Sequence, residues 1–404
     1  MDRWMTAQEA AAELGITLAT LYAYASRGLL HSEPVPGEPR ARRYPREDML
    51  WLKERKELRK EPERAVPKAL SWGGTPVLES AITLVEGGRL YYRGRDAVEL
   101  ARSSSVEEVA ALIWTGRPEE AAGLFAGEPP EMPSAARMIL EAIDLSPIER
   151  CQAVLPLVGA EDLAAWDLRP RSVATTGARL LRLLARIASG SGPEDSVATT
   201  LQAGWAPGRP EAAGPITAAL ILAADHELNV SAFTARCVAS AAASPYDVVT
   251  AGLAALKGSR HGGHTSRVES IFRETGTPER ARQTLAERLR RGETIPGFGQ
   301  QLYSDGDPRG RALLELASKI APGSPAIALA EALANAGREL LREHPTIDFG
   351  LVTLARALNL PTGTPLALFA LGRTIGWLGH AIEEYALDRL IRPRAAYVGE
   401  APEG

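Results

Sequence analysis

The residues best suited to acid–base chemistry are a histidine beside glycines and an aspartate beside large apolar side chains. His261 lies in the run Lys257–His264, K-G-S-R-H-G-G-H, just before a predicted helix. The positive end of a helix disfavours an imidazolium, so we expect His261 to stay neutral and to donate a hydrogen bond to an oxygen. Asp348 lies in the run Glu343–Phe349, E-H-P-T-I-D-F, where apolar neighbours should raise its pKa toward the range of a general base. Taken alone, Asp348 could also be a helix cap.

Three arginines have side chains suited to binding carboxylates. Arg309 follows Asp307-Pro308, and proline is favoured in the first turn of a helix, so Arg309 should project from a helix start. Arg373 lies in an amphipathic helical pattern, and Arg392 lies in the C-terminal run I-R-P-R. A guanidinium meets a carboxylate with two parallel hydrogen bonds, which suits an arginine to an anionic ligand. Each of them alone would be an ordinary surface residue.

The run Ile295–Arg309, I-P-G-F-G-Q-Q-L-Y-S-D-G-D-P-R, has two glycines around Phe298, which indicates a backbone that passes close to another group. It resembles the G-[FY]-G-H-x-[VL]-Y…D-P-R signature of citrate synthases, with Gln300 where that family carries a histidine. Further runs resemble family segments in the same order, and the resemblance covers roughly residues 75–400. They are Asp225–Arg236 (D-H-E-x-N-x-S-x-F-x-x-R), Lys257–His264 (K-G-P-x-H-G-G-A), Glu343–Phe349 (P-N-[VI]-D-[FY]) and Ile391–Arg394 (R-P-[RK]).

The resemblance implies a condensation of acetyl-CoA with oxaloacetate that gives citrate and free CoA. Asp348 would remove a methyl proton, His261 would hydrogen-bond the thioester oxygen, and Gln300 would polarise the ketone in place of the family's histidine. A glutamine donates an N–H but cannot become cationic or give up a proton, so a slowed or retuned enzyme is expected. Oxaloacetate would be held by His226, Arg309, Arg373 and Arg392, and CoA by Ile295, Pro296, Gly297, Phe298, Gly299 and Tyr303.

The same resemblance implies partners as well as substrates. Arg392 matches an arginine that crosses the subunit interface, so a homodimer is expected. The coenzyme A thioester is a substrate, and the family uses no metal or other cofactor in catalysis. His261 and His264 could suggest a metal pair by their spacing, but no third ligand is apparent.

Two other functions fit the sequence. A 2-methylcitrate synthase shares every motif and differs only in a pocket for propionyl-CoA, and motifs alone do not resolve one methylene. A catalytically inactive regulator that senses oxaloacetate or an acyl-CoA would fit Gln300 and an N-terminal DNA-binding module. Sensing alone, however, would not require Asp348 and His261.

The elements that position these residues should be mostly helices. A chain of 404 residues suggests more than one domain, and its 5% aromatic share and richness in Ala, Leu, Arg and Glu favour helices over strands. We predict an all-α (mostly) fold with large and small helical domains at residues 75–400, the small, lid-forming subdomain spanning approximately 262–365. A strand hairpin should turn at Gly87-Gly88, and helical spacing begins at Arg93.

Residues 1–60 predict a separate winged helix-turn-helix domain, followed by a charged, proline-punctuated linker at 61–74. The Thr6–Glu9 run is a capping-box pattern, and Gly28 should end the second helix. The module resembles MerR-type and excisionase-type regulators, which place the second helix in the major groove of DNA. Contacts to DNA would come from Tyr22, Arg27, Arg42 and Arg43.

Composition excludes several classes of protein. A net charge of −4 gives no overall attraction to nucleic acid, so any DNA contact must be local. The two cysteines, Cys151 and Cys237, cannot build a disulfide framework, and no apolar run reaches the ~18–20 residues of a membrane helix. These features favour a cytoplasmic protein without a membrane anchor.

Overall fold

A computed structural model describes residues 4–26, 30–35, 38–45, 49, 78–192, 194–303, 305–395 and 397–400. The chain divides into two compact units, Met1–Glu79 and Ser80–Gly404. The predicted linker at 61–74, Gly28 and Arg27 lie outside the described residues. Within those residues, no helix combines the length and the apolar character needed to cross a lipid bilayer.

The N-terminal unit combines a small antiparallel sheet with two short helices. Its strands are β1 (Trp4–Thr6), β2 (Glu33–Val35) and β3 (Glu38–Pro45), in the order β1-β3-β2, and its helices are α1 (Ala7–Leu14) and α2 (Leu18–Ser26). The predicted capping box is confirmed: the Thr6 hydroxyl accepts from the Glu9 backbone N–H (3.3 Å), and the Glu9 carboxylate accepts from the Thr6 N–H (2.8 Å). Gly15 turns the chain after α1 with a φ of 59°, a conformation that glycine adopts without strain.

The C-terminal unit begins with the predicted hairpin, formed by β4 (Thr83–Glu86) and β5 (Arg89–Tyr92). The expected helical start at Arg93 is wrong. The chain first adds a two-residue strand, β6 (Arg95–Asp96), and the next helix begins directly after it, at Ala97. The reason is local: the Asp96 carboxylate accepts the first free N–H groups of that helix (2.9 and 3.0 Å) and so determines where it starts.

Helices account for most of the remaining described residues, as predicted. They are α3 (Ala97–Ser103), α4 (Val106–Thr115), α5 (Ala121–Leu124), α6 (Ser134–Ala142), α7 (Pro147–Glu161), α8 (Pro170–Ser189), α9 (Val197–Trp205), α10 (Ala213–Ala223), α11 (Val230–Ser240), α12 (Pro245–Leu256), α13 (Gly263–Thr275), α14 (Ala281–Arg290), α15 (Pro308–Ile320), α16 (Pro325–Leu341), α17 (Ile347–Ala357) and α18 (Thr364–Leu387). Short 3₁₀ turns at Pro118–Glu120, Leu163–Trp166, Pro210–Ala212 and Pro278–Arg280 connect some of them.

Helix α18 is the centre of this unit, because it packs against α4, α8, α10, α11, α12 and α17. Glycines on α18 let the neighbouring backbone approach closely. A Cβ at Gly376 would lie 2.4 Å from the Ala224 carbonyl oxygen, to which the Gly376 N–H donates (3.0 Å). The end of α10 and the residues after it are therefore held directly against α18.

Two hydrophobic clusters stabilise the C-terminal unit. The larger one surrounds α18 and includes Trp377, whose side chain is fully buried. The smaller one joins α13, α14, α16 and the start of α17, with the rings of Phe272 and Phe298 tilted against Phe349 at centroid distances of 5.0 and 5.3 Å. The lid-forming subdomain at 262–365 stays a prediction, since Leu313 and Leu351 from that range belong to the larger cluster.

Candidate active site

Polar side chains from four helix ends and one glycine loop converge beside α18. His226 follows the end of α10 and is 7% exposed. Its Nε2 lies 2.9 Å from the hydroxyl of Tyr303. Burial, followed by the nearby Arg309 and Arg373 cations, lowers the pKa of His226 well below its ordinary value, so the ring is neutral. Tyr303, which the sequence assigned to CoA, thus has its hydroxyl beside the histidine assigned to oxaloacetate.

The segment that carries His226 is anchored by buried hydrogen bonds. The Tyr92 hydroxyl lies within hydrogen-bond distance of backbone carbonyls at and just after the end of α10. It can donate to the Ile221 oxygen (3.0 Å) or to the Asp225 oxygen (3.2 Å). Thr83 donates to the Asp225 carboxylate (2.6 Å). The hairpin of β4 and β5 therefore determines the position of His226 through its neighbour in the sequence.

Arg373 is a buried cation with an unfilled donor. The side chain is 1% exposed, and its Nε donates to the Ala223 carbonyl at the negative end of α10 (2.8 Å). One terminal nitrogen, NH2, is buried without a hydrogen-bond partner among the described residues. A buried unpaired donor is costly, so this nitrogen is suited to an anionic ligand.

Arg309 lies in the first turn of α15, as the Asp307-Pro308 pair predicted. Asp307 is the N-cap and also holds Arg309 with two bonds, from Nε (2.9 Å) and NH2 (2.8 Å). The same carboxylate accepts from the Ile347 N–H at the start of α17 (3.0 Å). Asp307 therefore connects the substrate-binding arginine to the helix that carries the candidate base.

Asp348 is the second residue of α17 and is partly buried. Burial raises the pKa of its carboxyl above the ordinary value, as predicted, although the hydrogen bond from the Thr265 hydroxyl acts in the opposite direction. Thr265 donates to one carboxylate oxygen of Asp348. Asp348 is not the cap of this helix, since the N-cap is Thr346. A carboxyl with a raised pKa and one free oxygen is suited to take a proton from carbon.

His261 precedes α13 and is also partly buried. Burial, followed by the Arg373 cation, lowers the pKa of His261 to about 3. The ring is therefore neutral, as expected, and the leading cause is its burial. The edge of the ring meets Phe369 at a centroid distance of 6.2 Å, and Phe369 also lies 4.9 Å from the Arg373 guanidinium.

Ser231 in the first turn of α11 orients His261. Its hydroxyl donates to the Asn229 side-chain oxygen (2.8 Å), accepts from Trp377 Nε1 (3.1 Å) and lies 2.7 Å from His261 Nε2. The Asn229 oxygen also accepts two backbone N–H groups, so it stays hydrogen-bonded when Ser231 turns its one proton to Nε2 instead. In that arrangement the neutral His261 ring carries its proton on Nδ1, where it can be donated to a ligand.

The glycine loop runs beside the start of α17. Gly297 and Gly299 have positive φ angles of 90° and 77°, and the loop pairs with the residues before α17 through Gly299 N to His344 O (3.0 Å) and Thr346 N to Gly297 O (2.9 Å). Ile295, Pro296 and Phe298 are buried, so these side chains serve packing. Gln300 is partly exposed, and its side chain has no hydrogen-bond partner in the described ranges. Gln301 is exposed.

Arg392 is not brought into this site within one chain. It is exposed in the segment that follows α18. The metal alternative has no structural support, because the described residues contain no group of three or more His, Cys, Asp or Glu side chains placed to hold an ion.

The candidate DNA residues of the N-terminal unit are arranged differently. Tyr22 on α2 is 51% exposed. Arg42 on β3 is exposed and donates to the Ser32 carbonyl (3.1 Å). Arg43 pairs with Glu33 across the hairpin (3.1 Å) and lies 4.3 Å from the ring of Trp4. One of the two described arginines is therefore already neutralised by the protein.

Comparison with known proteins decides the family. A family model described as the C-terminal domain of citrate synthase matches residues 71–394. The chain belongs to the citrate synthase family. A second model, a helix-turn-helix domain, matches residues 4–56. Citrate synthases are acyltransferase-type enzymes of mostly helical fold, in agreement with the predicted class.

Relatives and solved structures include both candidate activities. Citrate synthase 2 of Bacillus subtilis (strain 168) is 29% identical over 353 residues, which cover 81% of this chain and 94% of that protein. The 2-methylcitrate synthase of Shewanella oneidensis is 29% identical over 345 residues, with 79% and 91% covered. Citrate synthase from Thermotoga maritima superposes with a TM-score of 0.69 at 28% identity, covering 82% of this chain and 96% of that one. A ternary complex of carboxymethyl-CoA and oxaloacetate with citrate synthase from Thermoplasma acidophilum superposes with a TM-score of 0.71 at 25% identity, covering 82% of this chain and 96% of that one.

Motif reasoning missed four supporting residues of this candidate site. Ser231, Thr265 and Asp307 contact candidate catalytic and binding residues directly, and Trp377 reaches His261 through Ser231. Asp307 had a detectable signal, since an aspartate before proline is a frequent N-cap pattern. The other three lie inside helical patterns, where spacing alone does not distinguish a supporting hydroxyl or indole from a core residue.

Proposed function

We propose that this chain condenses acetyl-CoA with oxaloacetate and hydrolyses the resulting thioester to citrate and CoA. The observation that carries this proposal is the combination of a carboxyl with a raised pKa, a neutral imidazole beside Phe369 and a buried arginine with an unfilled donor beside the same phenylalanine. A base for carbon acids, a donor for a developing enolate oxygen and an anchor for a carboxylate are what this reaction needs.

Oxaloacetate is held by residues that are buried before it binds. His226 and Arg309 lie beside Tyr303, and Arg373 offers its free NH2 to one carboxylate. Arg392 would come from the neighbouring subunit, which its exposure in a single chain supports. Because the pocket cations are already desolvated, their charge-assisted hydrogen bonds to a dianion are stronger than the same bonds would be in water.

The chemical steps then follow from the positions of three side chains. Asp348 removes a proton from the methyl group of acetyl-CoA, while Nδ1–H of His261 donates to the thioester oxygen as negative charge develops on it. The methyl carbon attacks the ketone carbon of oxaloacetate, whose oxygen accepts a hydrogen bond from the Gln300 amide and takes up one proton in place of the one that Asp348 removed. Water then cleaves the thioester to the third carboxylate, free CoA and one proton. Coenzyme A lies along the glycine loop of residues 295–303, as the family resemblance implies.

Gln300 lowers the rate without abolishing the reaction. Loss of one donor to a developing oxyanion costs about 2.7–4 kcal/mol, or on the order of 10²–10³ in rate. An amide that still donates one N–H loses less than this, because only the charge and the transferable proton of an imidazole are missing.

The direct test measures free CoA released by the purified protein from acetyl-CoA and oxaloacetate, with propionyl-CoA in parallel. Wild type should turn over slowly, and Gln300→His should be faster by roughly tenfold. The exposed neighbour gives the matched control, since Gln301→His should not change the rate. No CoA release from wild type or Gln300→His would refute the enzymatic proposal. A higher kcat/KM with propionyl-CoA would favour 2-methylcitrate synthesis.

We also propose a cytoplasmic homodimer, supported by the exposed position of Arg392. Subunits of Asp348→Asn and Arg392→Ala are each expected to be inactive alone. In a 1:1 mixture half of the dimers are mixed, and one of the two sites in each mixed dimer contains both native residues, so the mixture should regain up to about a quarter of the activity. An active monomer by light scattering would contradict this arrangement.

The N-terminal unit supports a second function, local binding to DNA by a MerR-like module. The supporting observation is the exposed β2–β3 hairpin with Arg42, next to a helix-turn-helix. Titration of duplex DNA at increasing salt is the test, because phosphate contacts weaken steeply as salt rises. If the protein binds DNA and releases no CoA, its function is instead that of a regulator that binds metabolites without turnover.

A further inference from the structure

Four polar side chains form a buried row that ends next to His226 and has no role in the steps above. Its members are Asp225, His380, Arg236 and Glu384, and all four are fully buried. His380 and Glu384 lie one turn apart on α18, Arg236 lies on α11, and Asp225 lies in the segment between α10 and α11. Buried charges cost free energy unless each is paired, so the contacts within the row decide what it does.

Each member of the buried row contacts the next one. Arg236 Nε donates to the Glu384 carboxylate (2.7 Å), and Arg236 NH1 lies 3.4 Å from His380 Nδ1. His380 Nε2 lies 3.3 Å from Asp225 Oδ1. Neither of these last two atoms has a hydrogen-bond partner elsewhere among the described residues. The imidazole of His380 is therefore the connection between a paired arginine and the Asp225 carboxylate.

These contacts determine which ring nitrogen of His380 carries the proton. A guanidinium has donors but no acceptor, so His380 Nδ1 must accept from Arg236. The proton of the ring is then on Nε2, which faces Asp225 Oδ1. In this tautomer Arg236 orients the imidazole, and the imidazole offers its N–H to the carboxylate.

The segment that Asp225 begins is under local strain. Glu227, two residues later, has a φ of 54°, a left-handed conformation that is unfavourable for a residue other than glycine. Helix α18 also leaves space for the carboxylate, since a Cβ at Gly376 would lie 2.5 Å from Asp225 Oδ1. Without His380 that buried oxygen would lose its nearest donor, so the carboxylate would move, and the adjacent His226 with it.

We propose that His380 is a positioning residue for the binding of oxaloacetate. Through its Nε2–H it fixes the Asp225 carboxylate, and Asp225 fixes the backbone that carries His226. His380 touches no substrate itself, so its loss should weaken the binding of oxaloacetate and leave the binding of acetyl-CoA unchanged. This inference rests on the proposed function, in which His226 binds oxaloacetate.

Two amides separate the contact with Asp225 from the contact with Arg236. His380→Gln carries its amide nitrogen at about the reach of Nε2 and can still donate to Asp225, whereas His380→Asn reaches only as far as Nδ1. Both variants keep a polar side chain, and the asparagine oxygen can still accept from Arg236. Thr374→Val is the matched control, because it removes a buried hydroxyl of α18 that bonds only to the Ala370 carbonyl of the same helix.

The experiment measures both KM values for CoA release, together with the Kd of oxaloacetate by isothermal titration calorimetry. In His380→Asn the KM and the Kd for oxaloacetate should rise about tenfold, the effect of one lost hydrogen bond to a buried charge. The KM for acetyl-CoA should stay within about twofold, and His380→Gln and Thr374→Val should match wild type. An unchanged Kd in the asparagine variant, or an equal loss in the glutamine variant, would overturn the assignment.

A double-mutant cycle tests whether His380 acts through Asp225. In an Asp225→Asn background, His380→Asn should weaken oxaloacetate binding by much less than tenfold, because the contact is already altered. Losses that add fully would contradict the positioning role. A wild type that binds oxaloacetate but releases no CoA overturns the proposed function alone, since the calorimetric comparison still decides the role of His380. A wild type that does not bind oxaloacetate overturns both.

Discussion

The two units of the chain carry candidate functional residues of opposite character. In the C-terminal unit, His226, Arg309 and Arg373 are 7%, 2% and 1% exposed and come from three separate segments of the chain. In the N-terminal unit, Tyr22 is 51% exposed, and Arg42 lies on a surface hairpin. Buried polar groups are costly unless they are paired, whereas surface charges change at little cost. The buried constellation is therefore the stronger evidence of function, and the surface one needs a direct binding measurement.

The largest effect should follow from removal of the base. Asp348→Asn keeps the shape of the side chain and loses the proton acceptor, so kcat for CoA release should fall by roughly 10²–10⁴. The thermal midpoint should not fall, since a partly buried charge is removed. Residual activity above a tenth of wild type would show that another group takes the methyl proton.

A smaller loss is expected at the buried cation. Arg373→Lys keeps the charge but loses the fork that reaches both the Ala223 carbonyl and a substrate carboxylate. The KM for oxaloacetate should rise on the order of 10², and the KM for acetyl-CoA should change far less. Isothermal titration calorimetry with oxaloacetate measures the loss of affinity in the same variant without any turnover. Equal losses for both substrates would instead indicate a damaged fold.

The pH dependence tests the hydrogen bond to the base. Activity requires ionised Asp348, so kcat/KM should rise with pH through a pKa that burial holds above the ordinary aspartate value. Thr265→Val removes a donor that favours the carboxylate, and the acidic limb should move to higher pH. Thr265→Ser keeps the hydroxyl and should leave the limb in place. A limb that moves to lower pH in the valine variant would contradict this assignment.

The smallest effect on catalysis should come from the N-terminal unit. Arg42→Ala combined with Arg43→Ala should leave kcat and both KM values within about twofold, as surface substitutions generally do. The same change should weaken binding to duplex DNA and reduce the slope of log K against log salt by about one for each lost phosphate contact. Altered kinetics would show that the two units are functionally coupled.

Local sequence determined much of this protein. Thr6 and Glu9 cap α1, and the Asp307-Pro308 pair starts α15 with Arg309 in its first turn. Gly87-Gly88 forms the turn of the β4–β5 hairpin. Such signals act over a few residues and depend on side-chain and backbone chemistry that any context preserves. The motifs likewise identified Asp348, His261 and His226 as the residues to examine.

Only the tertiary structure decided which groups meet. Tyr303 bonds His226 across 77 residues, Thr265 bonds Asp348 across 83, and Ser231 bonds His261 across 30. Spacing in the sequence carries no information about such pairs, because they form only when separate helices pack. The same packing makes burial the main cause of the neutral His261 ring and leaves one Arg373 nitrogen without a partner. Residue types thus come from the sequence, but their protonation and their unfilled bonds come from the packed core.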